Sequence, residues 1–287
     1  MEIDDILASV DHGDISSPES TALDHQLLTR FWVAERSVPE LLPWPGRLMD
    51  RMMERVRQQI ETIEDLAAAS SEYTSTTTTG QGASTNTSTS TSTSTATLKL
   101  SILQTDLSRT QYLLRSLLRQ RLSKLTKHSM HYLLLSTATP HAPAPPPSSA
   151  SSFASESKQI QPEDSIPTPL NPPPPHCPLS ASEIAFLHTH QTLLARHFGS
   201  SFLSSFPPQL RRLDDNAGGT SMLQGPDAKE AVFVRCLAEE VGIVAPPEPG
   251  DGIEEEVVGG TMRMGDVWVV RWEAVRGAWE RGDVEIL

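Results

Sequence analysis

Apolar positions follow a helical period in four segments of the chain. In residues 98–128, leucines recur at steps of three and four, and the segment contains neither Gly nor Pro. The same spacing predicts helices over residues 21–36 and 45–69. A fourth helix is expected to start at the capping-box sequence Ser180-Ala181-Ser182-Glu183. We therefore predict a helical domain over residues 21–213.

The helix over residues 98–128 has a wider apolar face than one contact requires. The face comprises Leu103, Leu107, Leu114, Leu118, Leu122 and Leu125, and it is widened by Ile102, Leu113 and Leu117. At about 100° per residue, Arg121 projects into this face, where a lone guanidinium needs a carboxylate or carbonyl partner. Glu35 and Glu40 are candidate partners. Arg121 is thus predicted to be either a buried tie within the chain or an interface residue.

Beyond residue 213 the pattern changes to short strand-type runs. They cover residues 231–237, 242–245, 256–258, 267–272 and 284–287, with a helix over 273–281. Residues 214–228 are predicted as a linker and 229–287 as a small domain. Because about 60 residues are few for an independent core, this domain should lean on another surface. The predicted fold is mainly α: an N-terminal helical bundle with two long low-complexity insertions, followed by a small β-rich C-terminal domain.

The two insertions are residues 74–97, an almost pure Thr/Ser repeat, and residues 139–178, rich in Pro, Ser and Ala. Neither has enough apolar surface to offset the entropy of ordering, so both are predicted as mobile loops outside the core. Ser17, Thr139 and Thr168 each precede a proline. Regulation by phosphorylation therefore stays open as an alternative role for these segments.

Charge is distributed unevenly along the 287 residues. The formal net charge is −13, yet the helix over 98–128 carries seven Lys or Arg against one acid, Asp106. The acidic total argues against a general nucleic-acid binder. The basic helix either pairs with acidic protein neighbours or touches phosphate, so any DNA contact is expected to be indirect or weak.

Two cysteines, Cys177 and Cys236, form no framework for disulfides or zinc, which is typical of a reducing compartment. The opening MEIDDI lacks the basic and apolar regions of a signal peptide, and no apolar run approaches about 18 residues. We expect a soluble intracellular protein with no membrane segment.

The sequence contains no recognised catalytic or phosphate-binding motif. The nearest metal candidates are His188, His190 and His197. His190 and His197 lie two turns apart on one helix face while His188 lies elsewhere, so helix geometry does not gather three ligands. We predict a non-enzyme without metal or cofactor.

Residues 1–12 stand apart as a short amphipathic peptide. Ile3, Ile6, Leu7 and Val10 fall on one helical face, and Asp4 and Asp5 lie near its start. About ten residues cannot hold a stable helix alone. Such a tethered peptide is typical of a helix-in-groove ligand. The residues alone leave open the alternative that it caps the bundle as a first helix.

Taken in order, several segments resemble the Sld-five family, subunit 4 of the eukaryotic GINS complex, in its fungal form. The matching segments are Trp32 with residues 35–42 (ERSVPELL), then 98–101, 112–125, 179–180, 183–186, 206–210, 231–235 and 284–287. They cover nearly all of the chain outside the two insertions. The insertions fall between family helices and leave the expected fold intact.

The resemblance implies a non-catalytic subunit of a nuclear heterotetramer with Psf-one, Psf-two and Psf-three. That tetramer joins Cdc-forty-five and the Mcm two-to-seven ring in the replicative helicase. The N-terminal peptide resembles the ligand with which fungal members engage the Ctf-four scaffold. The alternative is a stand-alone helical adaptor that presents this peptide. Expected subunit-interface or core residues are Trp32, Leu114, Leu117, Leu118, Arg121, Leu125, Phe233 and Leu287.

Overall fold

The computed structural model describes residues 18–78, 87–137, 162–170, 174, 177–207, 211, 225–244 and 259–287. These residues form six α-helices and five short strands, which confirms the predicted mainly helical fold with a small C-terminal sheet domain. The scaffold-peptide residues Ile3, Asp4, Asp5, Ile6, Leu7 and Val10 lie outside the described residues, as does most of the predicted linker. No helix in the described ranges is long and apolar enough to cross a membrane.

Five helices precede the sheet domain. They are α1 (Pro18–Ser37), α2 (Gly46–Thr78), α3 (Thr87–Lys127), α4 (Ser129–Thr137) and α5 (Ala181–Ser201). The four predicted helices are confirmed, each with somewhat different ends. The short helix α4 was not predicted, because the apolar residues of its sequence SMHYLLLST are spread around the helix among polar ones and give no helical period.

The Thr/Ser insertion differs from its predicted loop. Helix α2 continues to Thr78 and α3 begins at Thr87, so helical backbone covers part of residues 74–97. Thr and Ser cost only a few tenths of a kcal/mol each in a helix. Extending a helix that is already formed avoids the nucleation cost, so the tract can lengthen both helices.

The Pro/Ser insertion also departs from the prediction that it stays outside the core. Pro162–Ser165 form a 3₁₀ turn, and Ile166 is buried in the same apolar cluster as Leu179 and Leu187. Proline has few accessible backbone states when unfolded, so ordering a Pro-rich segment costs less entropy than the composition suggests. Burial of Ile166 and the ion pair between Glu163 and Arg196 hold the C-terminal part of this segment against the helices. Thr168 is exposed in this part.

Backbone contacts divide the chain into two units. The first comprises the described residues up to Val33 together with Pro45–Arg119, and the second comprises Ala34–Trp44 with Gln120–Leu287. Buried apolar side chains of the first unit include Leu28, Met49, Met52, Val56, Leu114 and Leu117. An apolar cluster of the second unit includes Leu41, Leu125, Tyr132, Leu133, Ile184 and Ala195.

The second unit ends in the β-rich domain. Its strands are β1 (Ala231–Cys236), β2 (Glu240–Val244), β3 (Gly259–Arg263), β4 (Val267–Arg271) and β5 (Val284–Ile286). One antiparallel sheet has the order β4-β1-β5, and β2 pairs antiparallel with β3. The predicted C-terminal helix is confirmed as α6 (Trp272–Arg281), which ends at Gly282 with φ 83°. Alternate residues of β1 are buried on one face.

Strand β3 was not predicted; the nearest predicted run, residues 256–258, lies outside the described residues. The sequence GGTMR lacks strand-forming alternation, but packing explains its second residue, Gly260. A Cβ on Gly260 would lie 2.9 Å from ring atoms of Trp268. Glycine is therefore needed for the close approach of the indole to this strand.

Candidate functional site: a buried ionic network

Arg121 lies on the buried side of α3 with only 1% of its surface exposed. Its position follows from the helical step, which places it one turn before Leu125 and one turn after Leu117, both buried. A fully buried guanidinium is stable only when its donors are satisfied. The sequence predicts that Arg121 has a carboxylate or carbonyl partner, and the oxygen atoms around its guanidinium show whether it does.

All five N–H groups of Arg121 have acceptors. Nε and Nη2 donate to the two carboxylate oxygens of Glu183, at 2.7 and 3.1 Å. Nη1 donates to Glu35 Oε2 at 3.0 Å and to the Leu42 carbonyl at 2.8 Å. Nη2 also donates to the Pro178 carbonyl at 3.3 Å. The guanidinium of Arg121 thus links α3 to the carboxylates of Glu35 and Glu183. It also links α3 to the backbone at Leu42 and Pro178.

Lys124 completes the network one turn after Arg121. Its Nζ donates to Glu35 Oε1 at 2.7 Å, to the Glu40 carbonyl at 2.9 Å and to the Glu35 carbonyl. The three donors of the ammonium are therefore used. Glu35 is 0% exposed and lies between the two cations. Its Oε2 also accepts from the Leu42 backbone N–H at 3.4 Å.

Glu183 has two roles in this arrangement. It is the third residue of α5, where its Oε2 accepts from the Ser180 backbone N–H at 2.8 Å while Ser180 Oγ accepts from the Glu183 N–H at 3.2 Å. This reciprocal pair is the predicted capping box, now confirmed. The same carboxylate binds Arg121. Helix initiation and the ionic network therefore depend on one side chain.

The charges of the network balance. Arg121 and Lys124 carry two positive charges, and Glu35 and Glu183 carry two negative charges. Burial raises the pKa of the Glu35 carboxyl, and the nearby cations Lys124 and Arg121 oppose this shift. Burial likewise lowers the pKa of the Lys124 ammonium, and contact with Glu35 opposes it. Mutual pairing thus offsets part of the cost of desolvating Glu35 and Lys124, and the net direction of both pKa shifts is still set by burial.

Trp44 and Tyr132 enclose the network. The guanidinium carbon of Arg121 lies 5.1 Å from the centre of the Trp44 ring, a cation–π distance. The hydroxyl of Tyr132 accepts from the Leu41 backbone N–H at 3.0 Å, and burial raises the pKa of this phenol to about 12. Because the donors of Arg121 and Lys124 are all occupied, the arrangement is suited to holding segments together rather than to proton transfer or ligand binding.

Glu40, the other candidate partner of Arg121, has a different role. Its Oε2 accepts from Trp272 Nε1 at 2.9 Å, and its Oε1 accepts from Arg276 Nη1 at 3.0 Å. Ser37 Oγ donates to the Leu287 carbonyl at 3.1 Å. The segment Ala34–Trp44 therefore holds α3 through Glu35 and the C-terminal domain through Glu40. We call these residues the connecting segment.

The remaining predicted interface or core residues fall into two groups. Leu114, Leu117 and Leu125 are buried. Leu118, Phe233 and Leu287 are exposed, and Trp32 is half-buried with its Nε1 donating to Ser116 Oγ at 3.0 Å. The exposed group thus remains available to other molecules.

Sequence reasoning missed Glu183, Lys124 and Trp44. Glu183 was seen only as a capping residue, and nothing in its spacing indicates Arg121, which lies 62 residues away. Lys124, at i+3 from Arg121, could have been found by asking which residues share its side of the helix.

Within the described ranges, no group of three or more His, Cys, Asp or Glu could hold a metal ion, and His190 instead stacks on Phe186.

Two protein-family models match separate parts of the chain. Residues 77–202 match the GINS complex protein helical bundle domain. Residues 226–287 match the C-terminus of the DNA replication complex GINS protein SLD5.

Full-length relatives carry the same description. The DNA replication complex GINS protein SLD5 of Chaetomium globosum is 33% identical over 288 residues, with 100% of both chains covered. That of Yarrowia lipolytica is 28% identical, covering 99% of this chain and 84% of the relative. The Schizosaccharomyces pombe protein is 26% identical with 92% of each covered. The chain therefore belongs to the SLD5 family of GINS replication proteins.

Proposed function

We propose that this protein is a non-catalytic structural subunit of a nuclear GINS heterotetramer, together with Psf-one, Psf-two and Psf-three. In this role it serves initiation and elongation of DNA replication as part of the helicase formed with Cdc-forty-five and Mcm two-to-seven. The observation that carries the proposal is full-length similarity to a protein described as a GINS replication protein.

The character of the buried network supports a structural role. Its four charged side chains are neutralised by one another, and they join α3, α5 and the connecting segment. Buried ion pairs between these three elements fix their relative positions and so preserve the shape of a surface that other subunits recognise.

Exposed apolar side chains on the sheet support assembly with other proteins. Phe233 of β1 and Val269 of β4 are directly paired across the sheet and are 57% and 56% exposed. Val267 and Leu287 add further exposed apolar surface in the same domain. Clustered apolar exposure is typical of protein interfaces.

Co-expression with the three partner subunits tests this function. We expect a stable four-subunit complex on size exclusion. The double substitution Phe233→Ser with Val269→Ser should lower its yield while leaving the chain folded. A well-folded monomer that ignores all three partners would contradict the proposal.

We also propose that residues 1–12 bind a Ctf-four-type scaffold. The support is the spacing of Ile3, Ile6, Leu7 and Val10 after two acidic residues. Ile6→Ala with Leu7→Ala should abolish scaffold binding and leave the tetramer intact, whereas Glu2→Ala serves as a control. Retained scaffold binding would refute this assignment.

Deleting residues 1–12 distinguishes the subunit from a stand-alone adaptor. A GINS subunit should lose scaffold binding and keep its three partners. An adaptor would have no partner subunits to keep, so the same deletion would remove its sole interaction.

A further inference from the structure

The first unit contains a groove of about 1020 Å³ between α1, α2 and α3. Ala22 and His25 of α1, Arg55 of α2, and Arg109 of α3 contribute to its walls. All of these residues belong to the same unit. Its volume accommodates several side chains rather than one solvent molecule.

Positive charge exceeds negative charge where Asp24 of α1 contacts Arg51 and Arg55 of α2. The carboxylate of Asp24 is only 3% exposed and binds Arg51 through two hydrogen bonds, at 3.1 and 2.8 Å. The same carboxylate lies 3.0 Å from Arg55 Nη2, which also donates to Ser20 Oγ. Two guanidinium groups therefore share one buried carboxylate.

Arg55 is left incompletely satisfied. Its Nε and Nη1 atoms are buried and have no acceptor among the described residues. By contrast, all five N–H groups of Arg121 have acceptors. A buried donor without an acceptor is unfavourable, so an incoming acceptor that a small rotation of Arg55 can reach would be bound preferentially.

Arg109 and Asp106 add one positive and one negative charge to the groove wall. Arg109 is exposed on its wall. Asp106, the acid on the wall, already accepts from Gln59 Nε2 at 3.1 Å. Arg51, Arg55 and Arg109 against Asp24 and Asp106 leave these five groups with one more positive than negative charge.

Apolar side chains share the walls with these cations. Met52, Val56 and Leu113 line the groove, and Tyr112 is 65% exposed beside it. This mixture fits a protein segment that carries a carboxylate next to apolar side chains. A nucleic acid fits less well, because a chain of net charge −13 repels a polyanion.

We propose that this groove receives an Asp or Glu side chain, with adjoining apolar residues, from another subunit of the complex. The proposal rests on the proposed function as a GINS subunit and adds the chemistry of one of its contacts. The carboxylate accepts from Arg55, whose Nε and Nη1 have no acceptor among the described residues, and from the exposed Arg109.

Opposite charges at Ala22 test the proposal in the full four-subunit complex. Ala22 is exposed on the groove wall near the start of α1. Ala22→Glu and Ala22→Lys add side chains of similar size, but only the glutamate repels an incoming carboxylate. We expect Ala22→Glu to weaken co-purification of the partner subunits about tenfold relative to Ala22→Lys. Glutamate and lysine are both good helix formers, so weaker assembly would not reflect loss of α1.

Zero-length carbodiimide cross-linking of the Ala22→Lys complex identifies the occupant. We expect the introduced amine to be joined to an Asp or Glu of another subunit, located by mass spectrometry. Equal assembly of both variants, or cross-links only to Asp106 of the same chain, would overturn the groove proposal. If the wild-type protein still assembles with the three subunits, the proposed GINS function is unaffected by that result.

Two further outcomes are decisive. If the wild type fails to co-purify with the three subunits, the groove proposal falls together with the GINS function. If Ala22→Glu instead releases a labelled DNA duplex at unchanged subunit yield, the groove binds phosphate, and the proposed protein occupant is wrong.

Discussion

Replacing Arg121 removes the centre of the buried network. Arg121→Met keeps an unbranched apolar side chain in the same space but deletes five hydrogen bonds. Glu35 keeps Lys124 and the Leu42 N–H, and Glu183 keeps Ser180. The carbonyls of Leu42 and Pro178 lose the donors from Arg121.

The loss of stability in Arg121→Met depends on the partners that Glu35 and Glu183 keep. Breaking a buried ion pair by removing one partner costs about 3–5 kcal/mol. Because both carboxylates keep a second partner, we expect a loss near the lower end, about 3 kcal/mol in the free energy of unfolding. For a protein of this size, that corresponds to a fall in melting temperature of about 6–12 °C.

Thermal unfolding of the purified complex, followed by circular dichroism, measures this loss. Arg121→Lys keeps the charge but cannot form the bidentate contact with Glu183, so an intermediate loss is expected. Arg119→Met is the matched control because Arg119 is exposed on the same helix. An Arg121→Met protein with unchanged melting temperature and unchanged tetramer yield would refute the structural role.

Three other outcomes can be measured on the same protein. The free energy of unfolding, measured by urea titration, should fall by about 2–3 kcal/mol between pH 10 and 12. The reason is that tyrosine in the unfolded chain loses its proton near pH 10, whereas folded Tyr132 has a pKa of about 12; Tyr132→Phe should lack this fall. Ser180→Ala should cost about 1 kcal/mol in thermal unfolding, while Ser180→Thr retains the cap. Gly260→Ala should cost about 1–3 kcal/mol by overpacking against Trp268, whereas Gly242→Ala, with no atom within 4 Å of the added Cβ, should be neutral in the same assay.

The helical period predicted much of the fold because amphipathic helices expose their pattern directly. It also placed Arg121 inside an apolar face, which identified the centre of the network without any structure. Its partner Glu35 was one of two candidates, since both acids lie in the same short segment. Spacing cannot choose between them, because the choice depends on how that segment turns around Lys124.

What the sequence did not predict depends on packing between distant segments. Helix α4 has apolar residues all around it, interspersed with polar ones, so its sequence does not indicate which side is buried. Strand β3 forms by pairing with β2, and its Gly260 lies against the Trp268 ring, which local propensity does not show. Ile166 lies in a segment whose composition predicts disorder, and only the presence of a neighbouring core makes its burial favourable.

The ionic network has a consequence for how the chain can vary in length. Arg121 is 86 residues from Glu35 and 62 residues from Glu183, so each contact closes a long loop. The entropy of closing a loop grows only logarithmically, and doubling its length costs about 0.6 kcal/mol. That is small beside the several kcal/mol at stake in the network. The sequence between these anchor residues can therefore lengthen or change composition at little thermodynamic cost, whereas the anchors themselves cannot be exchanged freely.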